Sequence, residues 1–189
     1  MEIKKEDAIA AYNAADENTR RLLLSLVPEL KEAVKPKDIT ERVKTFEDAC
    51  DILGEEHPFV CAYYYIKDVD ECYNDIAAFV KLRIVCAALN EGWKPQFTEN
   101  EWRWYPWFTL WTEEELSEKS DEWKAHRHVI STCDYAGYYA GFACARSSYA
   151  PSGITANIDS HLCLKSEALA TYCGKQFIEL WADFNLIRK

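Results

Sequence analysis

The chain has 189 residues with 32 acidic side chains against 22 basic ones, a net charge of -10, and 49% hydrophobic residues. That apolar share fills a real core and excludes global disorder, and the acidic excess excludes a general nucleic-acid coat, since phosphate binding runs on Lys and Arg. There is no run of 18 apolar residues, and Met1-Glu2-Ile3-Lys4-Lys5-Glu6 lacks an apolar core segment, so neither a membrane span nor a secretion signal is expected.

The first 55 residues read as helices. Lys4 to Ala15 is Ala-rich, with Ile9 and Tyr12 at helical spacing. Asn18 is placed to cap a second helix carrying Leu22, Leu23, Leu26 and Val27, which Pro28 ends. Asp38-Ile39-Thr40-Glu41 has the form of a capping box. It opens a helix whose apolar face is Val43, Phe46, Ala49, Cys50 and Leu53 and which Gly54 stops. Cys61 to Ile66 fits strand or helix. From about Val69 to Glu91 a wide apolar stripe predicts a central helix, ended by Gly92.

After Pro95 the character changes. Trp102, Trp104, Tyr105, Trp107, Phe108 and Trp111 crowd together, with a short strand expected around Phe108–Leu110 and Pro106 confined to an edge or bulge. Glu113 to Glu122 reads as a surface turn or short helix, and His128 to Cys133 as a strand. Ile154 to Leu164 alternates with period two and predicts a strand paired with Ala140–Tyr149, with the Trp-rich strand joining the sheet. Ser166 then caps a helix running to about Ile187. The fold class is α+β: N-terminal helices, a small antiparallel sheet in the C-terminal half, and a long C-terminal helix behind it. Residues 1–95 form the helical region and 96–189 the Trp-rich strand, hairpin and last helix, read as one compact unit.

Eight cysteines without a Cys-x-x-Cys pair or an export signal read as eight free thiols in a reducing cytoplasm. Residues 1–60 and 61–120 each carry a charge of -5, while 121–189 balance 7 basic against 7 acidic groups. An anionic ligand therefore meets least repulsion in the last third. Trp104 and Trp107 either fill the core or offer a stacking platform. Tyr138, Tyr139, Arg146, Tyr149, Asn157 and His161 have the mix of aromatic, amide and cationic groups used by adaptable binding surfaces. His126 and His128 would share a strand face, and a third metal ligand would have to come from Cys133, Asp134 or distant His161. The spacing matches no common zinc signature, so no cofactor is expected. No catalytic fingerprint is present.

Four runs resemble one family of small proteins from phages, prophages and mobile elements of gut Bacteroidetes. They are Asp38-Ile-Thr-Glu-Arg-Val-Lys-Thr-Phe-Glu-Asp-Ala-Cys50, Lys81-Leu-Arg-Ile-Val-Cys-Ala-Ala-Leu-Asn-Glu-Gly-Trp-Lys-Pro95, Arg103-Trp-Tyr-Pro-Trp-Phe108 and Ser160-His-Leu-Cys-Leu-Lys-Ser-Glu-Ala-Leu-Ala-Thr-Tyr-Cys-Gly-Lys-Gln-Phe177. The family has no assigned activity, so the resemblance implies a mobile-element origin and no chemistry. Its members often carry Arg where this chain has His161.

The expectation is a non-enzymatic binding protein in the cytoplasm of a bacterial host, with virion association as an alternative. It would contact a protein partner or a small anionic ligand through the C-terminal β region, without general nucleic-acid or membrane binding and with oligomerisation left open. The alternatives are a small metal- or Cys/His-dependent hydrolase, and an acidic nucleic-acid mimic that inhibits a host protein.

Overall fold

The computed structural model describes residues 4–67, 74–96, 98, 100–151 and 160–189, with the backbone alone at 145–151 and at 160. The fold is α+β, and the chain divides into two compact units, Met1–Arg42 and Val43–Lys189.

The first unit is helical: α1 (Lys5–Ala14), α2 (Glu17–Leu26), α3 (Pro28–Val34) and α4 (Ile39–Arg42). Asp16, not Asn18, caps α2, its carboxylate accepting the Thr19 N–H at 2.8 Å. Pro28 follows the end of α2 and also opens α3, because a proline at the first helical position gives up an N–H that has no partner there. Arg20 joins α2 to α1 by donating to the carbonyls of Tyr12 and Asn13, both at 3.0 Å.

The helix expected from Asp38 to Gly54 is two helices, α4 in the first unit and another in the second. Asp38 turns its carboxylate onto the N–H and hydroxyl of Thr40, and the chain leaves helical geometry after Arg42. It re-enters at α5 (Phe46–Leu53) through a true capping box formed by Thr45 and Asp48. Cys61 to Ile66 is helical, within α6 (Pro58–Ile66). The next helix, α7 (Asn74–Asn90), is the spine, with Leu82, Ile84, Val85, Cys86, Ala88 and Leu89 all buried. It packs against α5 and α6, and later receives the last helix of the chain. The expected start near Val69 lies outside the described residues. The division at 42/43 thus puts three helices of the front region in the same unit as the sheet.

The Trp-rich strand is longer than expected. β1 (Trp102–Trp111) leads through α8 (Glu113–Ser117) and α9 (Asp121–His126) to β2 (Ile130–Ser131) and β3 (Gly141–Pro151). The sheet is antiparallel in the order β1-β3-β2, so Pro106 sits on an edge strand, where its missing N–H costs no ladder bond. β3 pairs with β1 from Trp111↔Gly141 to Trp102↔Pro151, and a register shift falls between Trp107 and Phe108. Of the strand expected over 128–133, Ile130 and Ser131 form β2 and pair with β3, and His128, with a left-handed φ of 52°, lies outside it.

The expected strand 154–164 is corrected where it is described, while 154–159 lie outside the described residues. Residues 160–162 form a 3-10 turn, and Leu162, Cys163 and Leu164 are all buried. Three consecutive buried residues break the two-sided alternation because α7 and β1 both contact this segment. Cys86 Sγ donates to the Leu162 carbonyl at 3.5 Å. Leu164 and Trp104 exchange backbone hydrogen bonds of 2.9 and 3.0 Å. The C-terminal helix is also two: α10 (Glu167–Gln176), capped by Ser166 as expected, and α11 (Ile178–Asn185), separated by non-helical geometry at Phe177. α10 packs on β1 and β3, and α11 on α7. Phe108 stacks on Phe142 at 4.8 Å and meets Trp181 at 5.3 Å. Tyr105, Tyr135, Phe142, Phe177 and Trp181 are buried, so part of the aromatic inventory is core, and Arg103 is buried with them.

Candidate functional site

Adjacent residues of a strand point to opposite faces, and β1 shows what this does to the aromatic cluster. Arg103 and Tyr105 are buried on one face, where Tyr105 packs with Cys163 and Trp93. Pro106 and Phe108 turn to the other face, towards α10 and α11. Trp102 and Trp107 are exposed, at 51% and 45%. Being five residues apart they fall on opposite faces, so they do not make one stacking platform. Trp104 is half-buried and tied by its backbone to Leu164.

The register brings other expected residues into pairs. Tyr149 is the β3 position opposite Trp104, and Arg146 the position opposite Trp107. The side chains of Arg146 and Tyr149, and all of Asn157, lie outside the described residues. Tyr138 and Tyr139 project from the loop between β2 and β3, 74% and 46% exposed, with their rings edge-to-face at 5.9 Å. They lie at the Gly141 end of the β1–β3 ladder. Trp104 lies seven residue steps from Trp111, the partner of Gly141, which is about 23 Å of strand. The expected contact residues are therefore spread along the β1–β3 ladder rather than gathered around one small-molecule pocket. His161 is exposed, in the 3-10 turn.

The histidine pairing does not form. His126 is the last residue of α9 and His128 has left-handed backbone geometry, so the two do not share a strand face, and Cys133 lies beyond β2. Among the described residues, no group of three or more His, Cys, Asp or Glu side chains is arranged to hold a metal ion.

A cleft of about 1060 Å³ opens elsewhere, lined by Asn74 and Asp75 at the start of α7, Cys133 and Asp134 after β2, and residues 183–189. Of the expected site residues only Cys133 lines it. At its side Tyr135 is buried, and its hydroxyl donates to Asp183 Oδ1 at 2.6 Å. Burial, reinforced by this carboxylate, pushes the Tyr135 hydroxyl up to about 12. Arg188 donates to the same oxygen from Nε at 2.8 Å and Nη2 at 2.6 Å, and its guanidinium lies 5.4 Å from the Tyr135 ring centre. The bond to Asp183 in turn holds the Arg188 proton more tightly than usual. No local pattern announces this group, because Tyr135 and Asp183 are 48 residues apart.

Among the described residues, no helix is long and apolar enough to cross a membrane. No family model, curated protein or solved structure matches the chain.

Proposed function

We propose that this chain is a non-enzymatic interaction protein of phage or mobile-element type, acting in the cytoplasm of a bacterial host, and that its C-terminal β region grips a protein partner. The observation that supports this most is the exposure of Trp107, Tyr138 and Tyr139 in a region where Tyr105, Tyr135, Phe142, Phe177 and Trp181 are buried. Large exposed aromatics are the side chains that anchor protein interfaces, since each offers wide contact area with few rotors to freeze. Trp107 lies four residue steps, about 13 Å of strand, from the end that carries Tyr138 and Tyr139, which favours a protein surface over a single small anion.

The test compares capture from bacterial host lysate by the wild type, Trp107→Ala, and Tyr138→Ala with Tyr139→Ala. A protein that co-purifies with the wild type should be recovered at least about tenfold less with the variants, the loss expected for one anchoring aromatic. The variants must melt as the wild type does. Tyr65→Ala on α6, also exposed, serves as the control and should change nothing. Undiminished capture by both aromatic variants would remove the reading.

A further inference from the structure

Residues 187–189 lie against 134–136 as a short antiparallel pair centred on Tyr135 and Arg188. The Ala136 N–H donates to the Ile187 carbonyl at 2.6 Å, and the Lys189 N–H to the Asp134 carbonyl at 3.1 Å. Arg188 reaches Asp183 and covers the Tyr135 ring, while Lys189 Nζ donates to the Cys133 carbonyl at 2.7 Å. These grips are polar. Ile187 is 77% exposed and buries little, so apolar contact does not hold the segment down. A segment held by a few surface hydrogen bonds opens locally, at far less cost than the core.

Opening leaves a formed slot behind. It holds a backbone donor and acceptor at strand spacing, an aromatic face, and a mostly buried carboxylate already oriented by the Tyr135 hydroxyl. That is the equipment of β-augmentation with one charged anchor. We infer that this edge, with Asp183, is a docking slot for an extended peptide carrying an Arg-Lys pair, and that the chain's own residues 187–189 occupy it as a stand-in. Asp75, Asp134 and Asp183 line the cleft beside this edge, and these local carboxylates favour such a basic segment. The inference rests on the interaction-protein reading but uses a different surface from Trp107, Tyr138 and Tyr139.

The test uses full-length Arg188→Ala, which should loosen the stand-in, and a labelled peptide Asn-Leu-Ile-Arg-Lys read by fluorescence anisotropy. Saturable binding below about 1 mM is expected, at least about tenfold tighter than to the wild type, whose own segment competes at millimolar effective concentration. Replacing the peptide's Arg by Ala, or adding Asp183→Asn to the protein, should abolish binding. A variant that melts like the wild type yet ignores the peptide, or takes the Ala peptide equally well, overturns the inference. Hydrogen exchange on the wild type gives a second arm independent of any variant. The Ala136 and Lys189 amides should exchange well ahead of the β1–β3 amides, and exchange only on global unfolding overturns the slot. A wild-type dimer that Arg188→Ala abolishes would assign the edge to a second copy and overturn the heterologous partner. The Tyr138 and Tyr139 variants should still bind the peptide, so failure here and failure of the aromatic surface are distinguishable.

Discussion

Asn90, the last residue of α7, donates from Nδ2 to the Cys163 carbonyl at 2.9 Å, across 73 positions of sequence. The other end of the same amide accepts the Lys165 N–H at 3.0 Å, and the side chain is buried. One residue thus satisfies two backbone groups of the segment that covers β1. It also explains a polar residue at the end of an otherwise apolar stripe.

Removing that amide should be costly. Asn90→Ala leaves the Cys163 carbonyl without this donor and the Lys165 N–H without its acceptor, at about 1–3 kcal/mol for a buried unsatisfied group. Urea unfolding should show a lower midpoint with an unchanged slope. Asn90→Asp keeps an acceptor for Lys165 but turns a carboxylate towards the Cys163 carbonyl, so it should be no better than Ala. An Asp variant as stable as the wild type would show that the donor half contributes nothing.

The capping box at α5 predicts a pH dependence. Burial raises the Asp48 carboxyl, but the N–H groups of Lys44 and Thr45, at 3.0 and 2.9 Å, outweigh it and hold the group below the ordinary 3.8. A lowered folded value means the contribution is present above the unfolded value, near 3.9, and is lost as pH falls through the lower folded one. Asp48→Asn should therefore be less stable than the wild type by ~1 kcal/mol at neutral pH, the usual scale of a cap. The gap should close as pH falls through the lowered folded value of the carboxyl. A gap independent of pH would remove the carboxylate from the explanation.

What was legible in the sequence follows from how locally each feature is determined. The Ser166 cap and the stop at Gly54 depend on a few neighbouring residues, and both are present. The break at Phe177 is hidden because Phe177, Ile178 and Trp181 are all buried, so the apolar rhythm runs straight through it. The alternation over 160–164 misleads because Leu162, Cys163 and Leu164 are buried one after another, with α7 and β1 both against the segment. At the candidate site, composition singles out Tyr138 and Tyr139, and both side chains are exposed. The Tyr135–Asp183–Arg188 group was not legible, since it exists only once α11 and the β2–β3 loop are side by side.

Gly174 decides how closely α10 approaches the sheet. A Cβ there would sit 2.6 Å from Cys144 Sγ and 2.7 Å from Pro106 Cβ, and the proline ring on β1 has little freedom to yield. Alanine gains about 1 kcal/mol in helix propensity, while overpacking costs roughly 1–3 kcal/mol. Gly174→Ala should be destabilised on balance, and Gly174→Val more so. A stabilised alanine variant in thermal melts would mean that the helix and sheet separate without penalty.

The thiols give the last prediction, in which two environments compete for one reagent. Burial pushes Cys144 and Cys163 up to about 11, and the thiolate is the reactive form. At pH 8 each would be about one part in a thousand ionised, and its buried sulfur is also shielded from the reagent. Cys133 is exposed on the rim of the cleft, and none of the seven described cysteines is bridged. Iodoacetamide on the native protein should therefore modify Cys133 well before Cys144 or Cys163, followed by peptide mass mapping. In urea without reductant, all eight cysteines of the chain should titrate, whereas six or fewer would contradict a reducing compartment. If Cys144 or Cys163 reacts as fast as Cys133 under native conditions, the packing of α10 on the sheet, or of residues 162–164 against β1, opens far more readily than the buried contacts there allow.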